Sequence, residues 1–286
     1  MTRQPPMPSP DSDTLAFIGG GNMARSLIGG LIATGRSSAS IRVGEPNQDL
    51  RDALVRDFAI AASADNACAV ADASVWLLAV KPQVLAAVCR PLAEIARQHR
   101  PLVISIAAGI ASSQIERWLG GDLAVVRAMP NTPALVGAGM TGLFANARVD
   151  AAGRALAERL LAAVGRTAWV DDEALMDVVT AVSGSGPAYF FLLAEAVQQA
   201  AEQHGLAPAT ARLLSEQTAL GAARMLTESQ VPATELRHRV TSPGGTTEAA
   251  LAALFGGGLP DLVGRAIDAA VERGRSLSRD SDDDQC

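Results

Sequence analysis

The chain has 286 residues, 49% of them hydrophobic, which is enough for one large domain or two ordinary ones with a substantial core. A formal net charge of −6 and a pI near 5.1 exclude the basic face of a nucleic-acid binder, so the expected partner is a small molecule. Cys68, Cys89 and Cys286 have neither the even count of a disulfide framework nor the paired spacing of a zinc site, which fits a reducing, cytoplasmic compartment and no metal.

Residues 1–13 carry four prolines and no apolar core, so they read as a disordered tail and not as a secretory signal. Leu15-Ala16-Phe17-Ile18 then runs into Gly19-Gly20-Gly21-Asn22-Met23-Ala24, the pattern of strand, phosphate-binding turn and helix. Gly19 permits the tight turn, Gly21 lets a pyrophosphate approach the backbone, and Ala24 allows close packing of helix on strand. A helix follows from Met23 to Ala33, with Gly35 as its stop. Ile41 to Glu45 reads as a second strand. Glu45, 24 residues after Gly21, stands where such folds place an acid on the adenine ribose, which favours NADH. Asn47 and Arg51 follow and suit the 2′-phosphate of NADPH, and an exposed acid before a turn is the plain alternative for Glu45. On the ribose reading, Glu45→Ser should improve the use of NADPH.

Asp49 to Phe58 suggests a helix, and Ser74 to Val80 an apolar strand for the middle of a parallel sheet. Lys81, the only lysine of the chain, and the helix-starting Pro82 follow at the carboxyl edge, where open α/β sheets bind ligands. Leu102 to Ile106 and Leu123 to Ala128 make a fourth and a fifth strand. The second of these runs into Met129-Pro130-Asn131-Thr132-Pro133-Ala134, a rigid loop placed to abut a nicotinamide or to serve as a plain turn. Alternation of strands and helices predicts a parallel, doubly wound sheet with right-handed crossovers.

Beyond about Asp171 the pattern is helical. Pro187 to His204 and Pro208 to Leu226 are rich in alanine and apolar on more than one face, which suggests burial inside an oligomer or in a larger intrachain core. The apolar run from Ala188 to Val197 is broken by Glu195 and falls short of the roughly 18 residues of a membrane span, so no membrane partner is expected. Two glycine loops interrupt the helices, Ser183 to Pro187 and Thr241 to Thr247. The second reads equally as an anion nest for a carboxylate or as a turn in which Thr246 or Thr247 caps the next helix.

Five segments together resemble bacterial pyrroline-5-carboxylate reductase: Phe17 to Met23, Ala79 to Pro82, Met129 to Ala134, Ser183 to Tyr189 and Thr241 to Thr247, in that family's order and within residues 15–277. With the boundary read above, the resemblance implies an N-terminal Rossmann-type α/β domain over 14–171 and an all-α dimerisation domain over 172–278, and composition marks 279–286 as an acidic tail. It implies reduction of L-Δ1-pyrroline-5-carboxylate to L-proline, the last step of proline biosynthesis, with NADPH and with NADH also accepted. It further implies dimers, often assembled into decamers.

By the same resemblance Gly19, Gly21, Asn22 and Met23 hold the diphosphate. Asn66, Ala79, Val80, Lys81 and Pro82 contact the ribose and nicotinamide side, with Met129 and Asn131 near the nicotinamide; Glu45 and Asn47, placed at the adenine ribose by spacing, are where the chain departs from that family, many of whose members have small or basic residues there to receive the NADP phosphate. Ser242, Gly244, Gly245, Thr246 and Thr247 hold the substrate carboxylate, Thr247 is the hydroxyl near the imine nitrogen, and Glu173 lies near the substrate or a subunit contact. His99, His204 and His238 lie outside all five motifs. A protonated cyclic imine is already electrophilic at C5, so alignment with a hydride donor matters more than a strong acid. A β-hydroxyacid dehydrogenase, which uses a lysine in its helical domain, fits less well because no lysine follows Lys81. A non-catalytic NAD(P) sensor would have no need of the Ser242 to Thr247 loop.

Overall fold

The computed structural model describes residues 13–283, with side chains to Ser276. The tail expected over 1–13 lies outside the described residues except for Asp13, as does the end of the tail expected over 279–286, while 279–283 continue the last helix. The described residues form two compact units, one running to Gly184 and resuming at Ala270, the other spanning Ser185–Ala269. The boundary expected from the sequence is 171/172.

The first unit is built on eight strands: β1 (Leu15–Ile18), β2 (Ile41–Gly44), β3 (Ala61–Ser63), β4 (Val75–Leu78), β5 (Leu102–Ser105), β6 (Val125–Met129), β7 (Gly139–Ala145) and β8 (Gly165–Trp169). Eight helices accompany them: α1 (Asn22–Ala33), α2 (Gln48–Phe58), α3 (Asn66–Val70), α4 (Pro82–Cys89), α5 (Ala93–His99), α6 (Ser112–Trp118), α7 (Ala151–Leu161) and α8 (Met176–Val179). The strand order is β3-β2-β1-β4-β5-β6-β7-β8. Chain connection reverses between β1 and β4, so a crevice opens at the carboxyl ends of these two strands, with Ile18 in register with both Gly44 and Leu78.

Side-chain alternation on β1 explains the double winding. Leu15 and Phe17 face a core shared with α1, α7 and β7, whereas Ala16 and Ile18 face one built with α3, α4 and α6. All four residues are fully buried, as a parallel strand covered on both faces must be.

Two expectations are corrected. The sheet is not wholly parallel, because β7 returns antiparallel to β6 before β8 pairs parallel with it. The sequence reading also missed β3, β7 and β8. Three-residue β3 is too short to show a period, and β7 is rich in glycine, which masks the apolar signature of a strand. The Ser183 to Pro187 segment is likewise no simple loop: Thr180–Gly184 forms a π-helical turn.

The second unit contains α9 (Gly186–Gln203), α10 (Pro208–Glu228), α11 (Ala233–Arg239) and α12 (Thr246–Gly256), and it takes the start of α13 (Leu259–Asp283). The helices α9 and α10 pack together, with Ser215 Oγ donating to the Ala194 carbonyl at 2.8 Å. Most of their apolar side chains remain exposed, including Phe190 at 70% and Phe191 at 67%. The stretch 173–203 has a most apolar 18-residue window of mean hydropathy 1.2, enough by length and composition for a membrane span, which the break at Glu195 had argued against.

Candidate active site

The dinucleotide crevice starts at Gly19, whose φ of +99° suits glycine, and whose N–H donates to the Gly44 carbonyl at 2.8 Å. A Cβ here would stand 2.7 Å from the Ala79 carbonyl oxygen, so the turn after β1 packs directly on the end of β4. Gly21 is the N-cap of α1 and supplies no side-chain cap, and no acid lies in the helix's first turn. A Cβ at Gly21 would meet nothing within 4 Å. The leading N–H groups and dipole of a twelve-residue helix therefore face open space, the arrangement that accepts a diphosphate.

At the end of β2 the acid behaves differently from expectation. Glu45 is only 8% exposed, and its two oxygens accept the Gly20 N–H at 2.8 Å and the Asn47 N–H at 2.9 Å. The carboxylate thus turns inward onto the glycine turn, so its position after Gly21 gives no ground for preferring NADH. Burial decides this, and spacing alone could not reveal it. Asn47 caps α2 through its Oδ1, which accepts the Leu50 N–H at 3.1 Å, while Arg51 Nη1 donates to the carbonyls of Glu45 and Pro46 at 2.8 and 2.7 Å.

Asn66 begins α3 beside the same strand end. Its Oδ1 is buried without a hydrogen-bond partner, against Gly44, where a Cβ would collide with it. An orphaned buried acceptor of this kind calls for a donor such as a ribose hydroxyl. Together with the open helix end at Gly21 it shows that these residues fit a dinucleotide. Ala79 and Val80 leave β4 partly buried, and Lys81 is the exposed N-cap of α4 with Pro82 in the first helical turn. Gly19, Gly21, Asn22, Met23, Asn66 and the Ala79 to Pro82 turn therefore gather along one edge of one unit.

The remaining first-unit candidates have structural partners. Asn131 Nδ2 donates to the Ser183 carbonyl at 3.1 Å and its Oδ1 accepts the Met140 N–H at 2.9 Å, so the side chain expected at the nicotinamide clamps the loop after β6 to β7 and to the π-helical turn. Met129, half-buried, precedes it. Glu173 accepts from Ser112 N–H at 2.6 Å, Ser112 Oγ at 2.9 Å and Arg127 Nη1 at 3.0 Å. The carboxylate expected near the substrate or a subunit contact neutralises an arginine inside β6 and holds the start of α6. An arginine in the apolar run Val125 to Ala128 was the sequence signal that a buried acid must exist. Which acid it was could not be read from the chain.

In the second unit the loop before α12 has Gly245, and not Thr246 or Thr247, as the N-cap. Gly245 N–H donates to the Ser242 carbonyl at 3.0 Å and Gly244, at φ +69°, donates to Glu248 Oε2 at 2.7 Å. Ser242, Gly244 and Thr246 are exposed and Thr247 is half-buried. The nest thus already receives a carboxylate, that of Glu248, a partner the sequence reading missed. No group of three or more His, Cys, Asp or Glu side chains suited to a metal ion occurs among the described residues.

Comparison with known proteins places these features in a family. A family model described as pyrroline-5-carboxylate reductase dimerisation matches residues 173–277, and one described as NADP oxidoreductase coenzyme F420-dependent matches residues 14–109. A pyrroline-5-carboxylate reductase of Pseudomonas aeruginosa is 53% identical over 264 residues, covering 92% of this chain and 96% of that protein. The structure of a pyrroline-5-carboxylate reductase from Coxiella burnetii superposes with a TM-score of 0.91 at 47% identity over 93% of this chain and 99% of the other. That of a Plasmodium falciparum pyrroline carboxylate reductase with NADP bound gives 0.81 at 26% identity, over 94% and 99%.

Proposed function

The chain belongs to the pyrroline-5-carboxylate reductase family, and we propose that it reduces L-Δ1-pyrroline-5-carboxylate to L-proline by hydride transfer from NADPH, with NADH as a second donor. The observation that carries this reading is the pairing of an open, uncapped helix end at Gly21 with a second glycine nest whose Gly244 N–H already holds a carboxylate. One suits a diphosphate and the other a small carboxylic acid.

NADPH supplies the hydride; the chain supplies position. Gly19, Gly21, Asn22 and Met23 anchor the diphosphate, Asn66 meets a ribose hydroxyl, and Ala79, Val80, Lys81, Pro82 and Met129 line the nicotinamide side. Ser242, Gly244, Gly245 and Thr246 hold the substrate carboxylate, displacing Glu248 from Gly244. The Thr247 hydroxyl hydrogen-bonds the ring nitrogen, which arrives protonated and leaves as the amine of proline, so no histidine is needed. With substrate and dinucleotide bound, most of the acceleration would come from aligning C5 with the hydride donor.

The exposed apolar faces of α9 and α10, within a region matching a dimerisation family, support a homodimer in which a subunit interface covers those side chains. We place the enzyme in the cytoplasm, with further assembly into decamers measurable by light scattering. The activity test follows nicotinamide absorbance with Δ1-pyrroline-5-carboxylate for the parent chain and for Thr247→Ala. Turnover that falls at least tenfold in the variant is expected. Dinucleotide binding without any turnover would refute the reading in favour of a sensor.

A further inference from the structure

A buried carboxylate at the rim of a site that must attract a polyanion is at first sight out of place. Glu45 is 8% exposed, at the end of β2, and its two carboxylate oxygens are held by two backbone amides, those of Gly20 and Asn47. These amides belong to the two loops that border the crevice: Gly20 is the middle residue of the diphosphate turn, and Asn47 caps α2. The space beside Gly20 is also filled, since a Cβ there would lie 2.6 Å from Leu54 Cδ1 and 3.3 Å from Glu45 Cγ.

We propose that Glu45 is a positioning residue for cofactor selection: by tying the glycine turn to the β2–α2 loop and keeping its charge inward, it holds Asn47 and Arg51 where the 2′-phosphate of NADPH is received. This rests on the proposed reductase activity for the presence of a dinucleotide. In folds of this kind the loop after the second strand meets the adenine ribose, through an acid for a free 2′-hydroxyl or an arginine for a phosphate. Here the acid has been withdrawn and the arginine remains. Arg51 uses one nitrogen, Nη1, to brace the carbonyls of Glu45 and Pro46. Both Nη1 hydrogens are taken, but Nε and Nη2 keep three N–H donors, so an anion on the outer side of the loop can be bound without breaking that brace.

The inference reverses the expectation drawn from spacing alone. If Glu45 faced the ribose, removing its charge would favour NADPH. If it is the tie between loops, removing it lets the Asn47–Arg51 segment drift and weakens NADPH more than NADH. Glu45→Gln is the conservative test, because one amide can still donate to the Gln oxygen while the other faces an NH2 group. The holoenzyme's Kd for NADPH, for NADH and for the fragment 2′,5′-ADP are measured by fluorescence and calorimetric titration, without reference to turnover.

The NADPH-to-NADH affinity ratio is expected to fall about tenfold in Glu45→Gln, with 2′,5′-ADP weakened in parallel. A merely structural role would lower the melting temperature and weaken both dinucleotides equally, and an unchanged ratio therefore overturns the proposal. A ratio that rises overturns it in favour of direct ribose contact. If Glu45→Gln does not fold, Glu45→Asp, which keeps the charge but shortens its reach to the two amides, carries the test: NADPH should weaken more than NADH, and equal effects on both would refute the assignment. A parent chain that binds neither dinucleotide refutes the functional reading itself, and the inference falls with it.

Discussion

Glu173 gives the sharpest test of how the first unit is held together. Replacing it with alanine removes an acceptor from Arg127 Nη1 at 3.0 Å and from both Ser112 N–H and Oγ, at 2.6 and 2.9 Å. The Arg127 side chain is 10% exposed, so its charge has little recourse to water once the partner is gone, whereas Glu173 is 27% exposed and sits nearer the solvent. Breaking a buried pair by removing one partner costs about 3–5 kcal/mol, and the partial exposure of the acid points to the lower end, about 3 kcal/mol. At about 2–4 °C per kcal/mol for a unit of this size, the melting temperature should fall by about 6–12 °C. The double variant Arg127→Met, Glu173→Leu leaves neither charge nor unpaired guanidinium and should recover most of that loss, because replacing a whole buried pair by apolar side chains is often neutral. Thermal melts and urea titrations of the two variants give the stabilities, and KM for the imine substrate gives the function. A melting temperature unchanged in Glu173→Ala, with KM raised tenfold or more, would refute the structural role and return the carboxylate to the substrate.

Two further outcomes follow from single positions. Gly19→Ala places a Cβ 2.7 Å from a backbone oxygen at a φ that costs a non-glycine residue about 1–2 kcal/mol, so the turn must shift and NADPH affinity should drop more than tenfold, measured by fluorescence titration; parent-like binding would show that the turn yields at no cost. Burial pushes the Cys89 thiol up to about 12, so at pH 8 it stays protonated and shielded while the exposed Cys68 reacts. Peptide mass spectrometry after iodoacetamide should find Cys89 modified only on unfolding, and labelling of both at similar rates would contradict its burial.

What local chemistry could specify, the sequence specified. The apolar run Leu15 to Ile18 followed by glycines reads as a strand and a turn into a helix for local reasons, because few residues tolerate the φ of Gly19 and a glycine N-cap leaves the first helical amides open. Lys81-Pro82 marks a strand end and a helix start for equally local reasons, as does Pro208 for α10. The five motifs, read together, carried the family and with it the reaction and the dinucleotide.

Tertiary structure decided where side chains face. Glu45 and Gly20 are 25 residues apart, Glu173 and Arg127 are 46 apart, and Asn131 and Ser183 are 52 apart, and each pair meets only because the tertiary fold brings distant segments together. An acid at the ribose position and an acid tied to a glycine turn have the same spacing in the sequence; burial and the direction of two amides separate them. The antiparallel return of β7 was hidden for a related reason. Its glycine-rich strand has no pattern of its own and is held by its partners, β6 and β8, so its existence is a property of the sheet and not of the segment.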